Sequence, residues 1–475
     1  MGNNLTQYAC GLACGASSTV ENYSKCDYLV IGGGNAAGYL AKAFAEEGVK
    51  PGKLMIISEE TVMPYERPAL SKAFLTNDQV RLPGFHTCVG SGGDRQDETW
   101  YADNKIPVVT GCKATEIDLD KKTVHTEGGR SFGYKKLVLA TGADAARLRC
   151  EGADLLGVHY LRSHDDGLRL VTGMDMALQS HSKQAVVIGG GYIGMETAAA
   201  LSTVGLSVTM VFPEQWALSR IMPKPLAKFY EDYYKQRGIK FVKSSALVSS
   251  FKGENGKLSG VELANGAVVP ADLAVVGVGA LPRSELVREK LTMSSGGIVV
   301  DGRFQTSAPD VYAIGDIAHF PLKKYGRSQR MEHVAHARAS AAHCVKSILH
   351  PDETPDYDYL PYFYSRVFGL AWKFYGDNIG EVVIVGSMKP FLLALWIREE
   401  VDAKGRRQVN GVFLESGGDP KYDELIRKVA QMQPMISKQQ LSKLTFWGAK
   451  VPGAMEVLEE LIQPPGVTGV INSSL

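Results

Sequence analysis

The sequence predicts an α/β fold, because one arrangement of residues occurs twice. A short apolar run, a glycine-rich turn, an alanine-rich stretch and a second apolar run follow one another at residues 28–58 and again at residues 185–212. Short apolar runs bounded by glycine are typical of buried parallel strands, and the stretch between them has the composition of a helix. Each copy therefore predicts a strand–turn–helix–strand unit.

The turn of the first unit has the composition of a phosphate-binding loop. It consists of Gly32, Gly33, Gly34, Asn35 and Ala36. Glycines permit a tight turn and let the backbone approach a pyrophosphate at the N-terminus of the following helix. This turn predicts a dinucleotide site.

The turn of the second unit is a complete G-x-G-x-x-G. It consists of Gly189, Gly190, Gly191, Tyr192, Ile193 and Gly194. Two such turns predict two bound dinucleotides, and therefore two Rossmann-like dinucleotide-binding domains.

An acidic residue follows the second strand of each unit. Glu60, beside Glu59, follows the first, and Glu214 follows the other. A carboxylate at this place accepts hydrogen bonds from a ribose 2′-hydroxyl and repels a 2′-phosphate, so Glu214 favours NADH over NADPH. Arg220 lies near Glu214 and is interpreted either as a contact to the nucleotide or as a solvated surface charge.

Composition excludes several classes of protein. The 475 residues suggest about three domains, and 52 basic residues nearly balance 51 acidic ones. This balance gives no reason to expect a nucleic-acid partner. The longest apolar run, 391–397, is too short for a transmembrane segment. Seven cysteines are too few for a disulfide framework, so we expect a cytoplasmic protein.

The two ends carry weak targeting patterns. Gly2 fits a myristoylation signal, and Cys10 and Cys14 could be acylated as a second anchor; the alternative is a plain flexible extension. The chain ends in Ser-Ser-Leu, which lacks the lysine of the peroxisomal Ser-Lys-Leu signal. Peroxisomal and membrane-associated locations therefore remain alternatives.

Four further motifs carry a resemblance. They are Pro64-Tyr65-Glu66-Arg67-Pro68-Ala69-Leu70-Ser71-Lys72, Arg81-Leu82-Pro83-Gly84-Phe85-His86, Glu332-His333-Val334-Ala335-His336-Ala337-Arg338 and Tyr359-Leu360-Pro361-Tyr362-Phe363-Tyr364-Ser365-Arg366. Over about residues 26–445 the chain resembles the monodehydroascorbate reductases, flavoenzymes that use NADH to recycle the ascorbate radical. Ala335 departs from the pattern, since this family usually has an aspartate there.

The resemblance implies FAD and NADH as cofactors in a glutathione-reductase-like architecture. It also implies further cofactor-binding residues, which are Arg67, Lys72, Ala114, Arg162, Glu196, Gly279, Asp316, Glu332, His333, Val334 and Tyr364. It implies a catalytic set consisting of Lys72, Glu332, His333, Arg338, Tyr364 and Arg366.

The acceptor site is the least determined part. Arg338 and Arg366 would suit a planar anion, because a guanidinium offers several fixed donors. Both arginines could instead serve packing between domains. Lys72, expected beside flavin N5, could be an ordinary surface lysine.

The resemblance and the patterns together predict a domain order. We expect a flexible extension 1–25, a split FAD-binding domain 26–151 and 298–345, an NAD(H)-binding domain 152–297, an α+β interface domain 346–450 and a tail 451–475. We also expect a monomer or a weak homodimer. Within 332–339 we expect a helix that contains Glu332 and His333.

The expected reaction is hydride transfer from NADH to FAD, followed by two one-electron transfers to the radical. Disulfide reductases of this superfamily place a cysteine pair just after the first unit. No cysteine lies between Cys26 and Cys88 here, so a sulfur relay is not expected. The alternatives are a ferredoxin or rubredoxin reductase and a flavin-bound scaffold resembling apoptosis-inducing factor.

Overall fold

The computed structural model describes residues 25–463 apart from 79–80, 83, 90–92, 388–390, 416–419 and 447–450. The acylation pattern at Gly2, Cys10 and Cys14 and the C-terminal Ser-Ser-Leu lie outside the described residues. In the described part, no helix has both the length and the apolar character that a membrane span requires.

The first unit builds the sheet of the N-terminal domain. Its strands are β1 (Lys25–Ile31), β2 (Leu54–Ile57), β3 (Val108–Val109), β4 (Ala114–Asp118), β5 (Thr123–Thr126), β6 (Ser131–Leu139) and β19 (Val311–Ala313). β3, β2, β1 and β6 are parallel neighbours, and β19 adds in parallel to the carboxyl half of β6. β4 and β5 extend the amino half of β6 as an antiparallel meander. The chain thus leaves this sheet after β6 and returns to it with β19.

Three helices accompany this sheet before the chain leaves it. They are α1 (Asn35–Glu46), α2 (Ala73–Thr76) and α3 (Glu98–Asp103). The turn before α1 depends on glycine: Gly32 has φ +118°, and a Cβ there would lie 2.3 Å from the carbonyl oxygen of Ala140. The backbones of β1 and β6 approach so closely at this point that no side chain fits.

The second unit builds a five-stranded parallel sheet. Its order is β11 (Lys240–Val242), β10 (Ser207–Val211), β9 (Gln184–Ile188), β15 (Leu273–Val276) and β8 (Val158–Tyr160). Its helices are α4 (His164–Gln179), α5 (Tyr192–Thr203) and α6 (Lys224–Lys235). Two dinucleotide-type sheets in one chain confirm the predicted α/β class.

Three small sheets accompany the larger ones. The first contains β12 (Val248–Glu254), β13 (Lys257–Leu263) and β14 (Val268–Pro270). The second pairs β7 (Ala143–Ala145) with β16 (Ala280–Pro282). The third contains β17 (Met293–Ser294), β18 (Gly297–Val299), β20 (Ala318–Leu322) and β21 (Arg327–Arg330).

The C-terminal part is an antiparallel sheet backed by helices. Its strands run in the order β22 (Tyr362–Val367), β23 (Leu370–Gly376), β26 (Arg407–Glu415), β25 (Phe391–Val401) and β24 (Glu381–Ser387), and β27 (Met435–Ile436) pairs with β26. The helices are α8 (Pro420–Met432), α9 (Lys438–Phe446) and α10 (Val451–Ile462).

Two sequence expectations differ from these elements. α10 is no free tail: Ala454, Met455 and Leu458 are buried in the core of the C-terminal sheet, because the helix presents an apolar stripe to α8. Helix α7 is Val334–Leu349. Glu332 therefore precedes the helix, and His333 is its N-cap.

Candidate functional site

One large cleft opens where the two dinucleotide units meet the C-terminal sheet. Its volume is about 1010 Å³, including its open mouth. The residues that line it come from the N-terminal parts of α1, α5 and α7, from the loop before α2, from the segments that follow β6, β8 and β19, and from the middle of β22. They are Gly34, Asn35, Ala36, Arg67, Pro68, Leu70, Ser71, Lys72, Ala140, Thr141, Gly142, Leu161, Arg162, Tyr192, Ile193, Glu196, Ile314, Asp316, Glu332, His333, Val334, Ala337 and Tyr364. Ligands of open α/β sheets bind at this edge of the strands.

The N-terminus of α1 is prepared for an anion. Gly34 is its N-cap, and no side chain caps it, so the first N–H groups of the helix are available to a phosphate. A Cβ on Gly33 would lie 2.2 Å from Ser58 Oγ, and one on Gly34 would lie 3.3 Å from Arg67 Nε. The turn has room for backbone and ligand only, which fits the FAD pyrophosphate.

The N-terminus of α5 repeats this design. Gly191 is its N-cap, again without a side-chain cap. A Cβ on Gly189 would lie 2.2 Å from the Gly277 carbonyl oxygen, and one on Gly194 would lie 2.2 Å from the Gly189 carbonyl oxygen. A Cβ on Gly191 would meet no protein atom within 4 Å. Gly190 packs against the ring of Phe212. Gly189 and Gly194 therefore serve close backbone packing, Gly190 leaves room for the Phe212 ring, and Gly191 faces open space that suits a second dinucleotide.

Glu60 is held by three donors. Its carboxylate pairs with the Arg67 guanidinium and accepts hydrogen bonds from Tyr65 OH (2.8 Å) and from the backbone N–H of His164 (3.0 Å). Burial acts to raise the pKa of Glu60, but Arg67 and these hydrogen bonds hold it below its usual value. In this arrangement Glu60 orients Arg67 toward the cleft, and its assignment to the ribose stays a prediction. The neighbouring Glu59 is more exposed and pairs with Arg283.

Lys72 forms a buried ion pair inside the cleft. Its Nζ lies 2.7 Å from Glu196 Oε2, and the side chain of Glu196 is only 2% exposed. Ser71 Oγ donates to the same oxygen of Glu196. Ser365 Oγ donates to the other oxygen, Oε1, at 2.5 Å. Since Lys72 also lines the cleft, its alternative interpretation as an ordinary surface lysine is wrong.

A second ion pair crosses the cleft. Arg162 Nη2 lies 2.9 Å from Asp316 Oδ2, and both residues line the cleft. Asp316 lies in a short 3-10 turn, Gly315–Ile317. Asp316 belongs to the segment that returns to the first sheet, and Arg162 belongs to the second dinucleotide unit. The ion pair therefore joins the two units at the cleft.

The N-terminus of α7 brings three predicted residues into the cleft: Glu332, His333 and Val334. His333 Nδ1 accepts a hydrogen bond from the Ala335 N–H at 3.3 Å and so caps the helix. Burial lowers the pKa of His333 to about 4, so the ring is neutral at physiological pH. Glu332 pairs with Arg330. The positive end of the α7 dipole thus faces a cleft that Glu332 and Asp316 also line, each of them paired with an arginine.

Arg338 is held by a buried carboxylate. Its Nη2 lies 2.9 Å from Glu66 Oε2, and the side chain of Glu66 is 5% exposed. Glu66 also accepts hydrogen bonds from Asn35 Nδ2 and Tyr39 OH, each at 2.6 Å. Arg338 Nε is buried and has no hydrogen-bond partner among the described residues. Arg338 is absent from the cleft lining and lies near Tyr364. Burial raises the pKa of Tyr364, and the Arg338 charge opposes that rise.

The remaining predicted residues lie at the margins. Arg366 is exposed on β22, two residues beyond the cleft residue Tyr364. Glu214 is half-buried just after β10, and Arg220 is exposed. Gly279 has φ +132° and an open Cβ direction. Ala114 is half-buried on β4, outside the cleft lining.

Three polar residues of the site were missed by sequence reasoning: Glu66, Ser71 and Ser365. Glu66 and Ser71 lie inside the motif 64–72, and Ser365 lies inside 359–366. No spacing rule could have joined Ser365 to Glu196, which is 169 residues away.

No cysteine lines the cleft. In the described part of the chain no disulfide joins Cys26, Cys88, Cys112, Cys150 or Cys344. Nor do the described residues contain a group of three or more His, Cys, Asp or Glu side chains that could hold a metal ion.

Comparison with protein families matches two segments of the chain. The family model "Pyridine nucleotide-disulphide oxidoreductase" matches residues 26–341. The model "Monodehydroascorbate reductase 3-like, C-terminal domain" matches residues 360–448.

Several curated relatives are similar over most of their length. A monodehydroascorbate reductase of Solanum lycopersicum is 44% identical, covering 88% of this chain and 96% of the relative. The peroxisomal monodehydroascorbate reductase 4 of Arabidopsis thaliana is 46% identical, covering 86% and 83% respectively. The cytosolic monodehydroascorbate reductase 4 of Oryza sativa subsp. japonica is 44% identical, covering 86% and 94%.

Solved structures agree on the fold. A ferredoxin reductase from Rhodopseudomonas palustris superposes with a TM-score of 0.76 at 27% identity, covering 90% of this chain and 99% of that one. Putidaredoxin reductase in complex with putidaredoxin superposes with a TM-score of 0.79 at 24% identity, covering 92% and 99%. The glutathione-reductase-like arrangement expected from the resemblance is thereby confirmed.

Proposed function

This chain belongs to the monodehydroascorbate reductase family of flavoprotein oxidoreductases, and from that membership we propose how its residues carry out the reaction. The protein is an oxidoreductase that uses FAD and a reduced nicotinamide nucleotide. Its substrate is the monodehydroascorbate radical, which it reduces to ascorbate.

One observation supports this function above the others. A single cleft is lined by the start of both phosphate-binding helices, by Lys72 and by Tyr364, and it contains no cysteine. When bound, the flavin accepts a hydride from NADH and releases electrons one at a time. A radical acceptor suits that property, and a disulfide acceptor would need a thiol pair.

We assign cofactor binding to the two helix N-termini. The N–H groups that follow Gly34 would hold the FAD pyrophosphate, and those that follow Gly191 would hold that of NADH. Arg67, oriented by Glu60, adds a positive charge beside the first of these sites. Glu214 would accept hydrogen bonds from the free 2′-hydroxyl of NADH, which favours NADH over NADPH.

We assign electrostatic stabilisation to Lys72 and to the start of α7. The Lys72 ammonium and the α7 N-terminus at His333 both place positive charge at the cleft. A reduced flavin carries negative charge, so these groups would stabilise it. His333, whose Nδ1 accepts the Ala335 N–H, would orient the start of the helix.

We assign the acceptor to the edge at Tyr364. Arg338 lies behind this residue and Arg366 lies beyond it on the same strand face. A monoanionic radical that docks here would meet guanidinium donors. The alternative acceptors, ferredoxin or rubredoxin, would need a protein-sized docking face in place of this small edge.

The test is a pair of measurements on purified holoenzyme. NADH should bleach the oxidised flavin spectrum under anaerobic conditions, and radical generated by ascorbate oxidase should restore it within the turnover time. Thiol alkylation should leave both steps within about twofold of the untreated enzyme. Absence of bleaching, or recovery only with ferredoxin, would overturn the proposal.

For the compartment, we propose the cytoplasm. The relatives' names place them in the cytosol, peroxisome, or chloroplast and mitochondrion, so family membership does not select one location. A fluorescent fusion at the C-terminus, compared with one at the N-terminus, separates the options. Loss of a punctate or membrane pattern with Gly2→Ala would favour acylation instead.

A further inference from the structure

The Glu196 carboxylate joins all three parts of the molecule. Glu196 lies on α5, in the second dinucleotide domain. Its partners Ser71 and Lys72 come from the loop of the first domain, and its partner Ser365 comes from the C-terminal sheet. With one cation and two hydroxyl donors, the buried carboxylate is compensated in charge and in hydrogen bonds.

The Ser365 side chain lies on the buried face of β22, opposite to the face of its two neighbours. Tyr364 and Arg366 point to the cleft edge and to solvent, while Ser365 between them is 1% exposed. Neighbouring residues of a strand point to opposite faces. The strand that carries the acceptor-side residues is therefore attached, through Ser365, to the carboxylate that holds Lys72.

A second contact anchors the same face of the sheet. Ser365 is paired in register with Trp372, and Trp372 with Glu415. The Trp372 ring packs on Tyr230 of α6 at 4.6 Å, and Tyr230 OH donates to Glu415 at 2.8 Å. In this row Ser365 donates a hydrogen bond to the cleft residue Glu196, so through it the sheet can influence the cleft.

We propose that Ser365 is a positioning residue that sets the orientation of the Lys72 ammonium through Glu196. This inference rests on the proposed function, since Lys72 matters to catalysis only beside a flavin. By occupying Glu196 Oε1, the Ser365 hydroxyl leaves Oε2 to Lys72 and Ser71, and the ammonium stays at the cleft wall.

Loss of the hydroxyl has a directional consequence. A buried carboxylate oxygen without a donor is unfavourable, so in Ser365→Ala the carboxylate would turn to place both oxygens on Lys72. That rotation draws the ammonium away from the cleft and neutralises it more fully. The positive potential that stabilises a reduced flavin would fall. A substitution on the acceptor-side strand would thus change the electrostatics at Lys72.

The experiment compares variants of the holoenzyme with no radical present. Per bound flavin, Ser365→Ala should be reduced by NADH about tenfold more slowly than the unaltered enzyme. Its flavin equilibrium should shift about tenfold toward the oxidised form, which is about 30 mV for a two-electron couple. The midpoint potential is the readout that does not depend on turnover. Ser328→Ala, at an exposed serine of β21, is the matched control.

Rescue separates positioning from general packing. Ser365→Thr restores a hydroxyl and should recover both the rate and the potential. If Ser365→Ala does not retain flavin, the reduction rate and the midpoint potential are measured on Ser365→Cys instead. Its side chain has a similar volume and a weaker hydrogen-bond donor. An unchanged potential, a shift in the opposite direction, equal effects in Ser328→Ala, or no recovery in Ser365→Thr would overturn the inference. A failure of the radical as acceptor would leave these readouts intact and would overturn only the proposed function.

Discussion

Arg338 and Glu66 form a buried ion pair, with Nη2 of the arginine 2.9 Å from Oε2 of the glutamate. The pair connects α7 to the loop before α2 across 272 residues of sequence. Glu66 also holds Asn35 at the start of α1. The Glu66 carboxylate thus links Arg338, a proposed acceptor residue, to the phosphate-binding turn. The other proposed acceptor arginine, Arg366, is exposed.

Replacement of Arg338 should therefore affect stability as well as substrate binding. Arg338→Ala leaves the Glu66 charge buried and unpaired, which should lower the free energy of unfolding by about 3 kcal/mol. The KM for the radical should rise at least tenfold. Arg366 is exposed and has no ion pair within the described ranges, so Arg366→Ala should raise this KM while stability changes by less than about 0.5 kcal/mol. Urea unfolding and steady-state kinetics of both variants provide the check; an unchanged KM in both would remove the arginines from the acceptor site.

The glycines of the second turn should separate folding from binding. Gly194→Ala forces a Cβ to 2.2 Å from a backbone oxygen, so it should lower the melting temperature markedly. Gly191→Ala meets open space at an ordinary φ of −77° and should fold normally. Its methyl group would occupy the approach of the pyrophosphate, and the KM for NADH should rise about tenfold or more. Calorimetry with NADH titration tests this; a normal KM in Gly191→Ala would place the nucleotide elsewhere.

Nucleotide preference should depend on Glu214. Glu214→Gln removes the charge that repels a 2′-phosphate, so the ratio of kcat/KM for NADH to that for NADPH should fall about tenfold, equivalent to about 1.4 kcal/mol. The control is Glu254→Gln, at an exposed position of β12. A ratio that falls equally in both variants would assign the preference to net charge instead.

Stability should fall on mild acidification because two histidines, the buried His336 and the half-buried His333 of the cleft wall, are neutral in the folded protein. Burial lowers the pKa values of His333 and His336 to about 4, whereas an unfolded histidine titrates near 6.5. Between these values the unfolded state binds the proton, so each group makes the free energy of unfolding decrease by up to about 1.4 kcal/mol per unit as pH falls from 6.5 to 4.

His333→Asn preserves a helix-capping residue. It should remove the contribution of His333 to the slope of the unfolding free energy with pH and leave that of His336. His181→Asn, at an exposed position, should leave the slope unchanged. Denaturant unfolding at several pH values between 4 and 7 is the measurement. Equal slopes in both variants would mean that His333 is accessible to protons in the folded protein.

Local features of the site were predictable from the sequence because they arise from local physics. The glycine turns at Gly32–Gly34 and Gly189–Gly191, the helices after them and the acidic residues at Glu60 and Glu214 depend on the order of neighbouring residues, and strand, turn and helix preferences act over a few positions. These patterns were enough to predict two dinucleotide units, and the resemblance of the longer motifs added the family.

The pairing of charges was decided only by the tertiary structure. Lys72 and Arg338 were predicted at the site, but their buried partners Glu196 and Glu66 were not predicted as such, and neither was the link from Ser365 to Glu196. Such contacts join domains that are distant in sequence, and no periodicity records which donor will meet which carboxylate. The packing of α10 into the C-terminal sheet is of the same kind. Residue order determines the local elements, while burial at the domain junctions selects the partners and so the orientation of each charge.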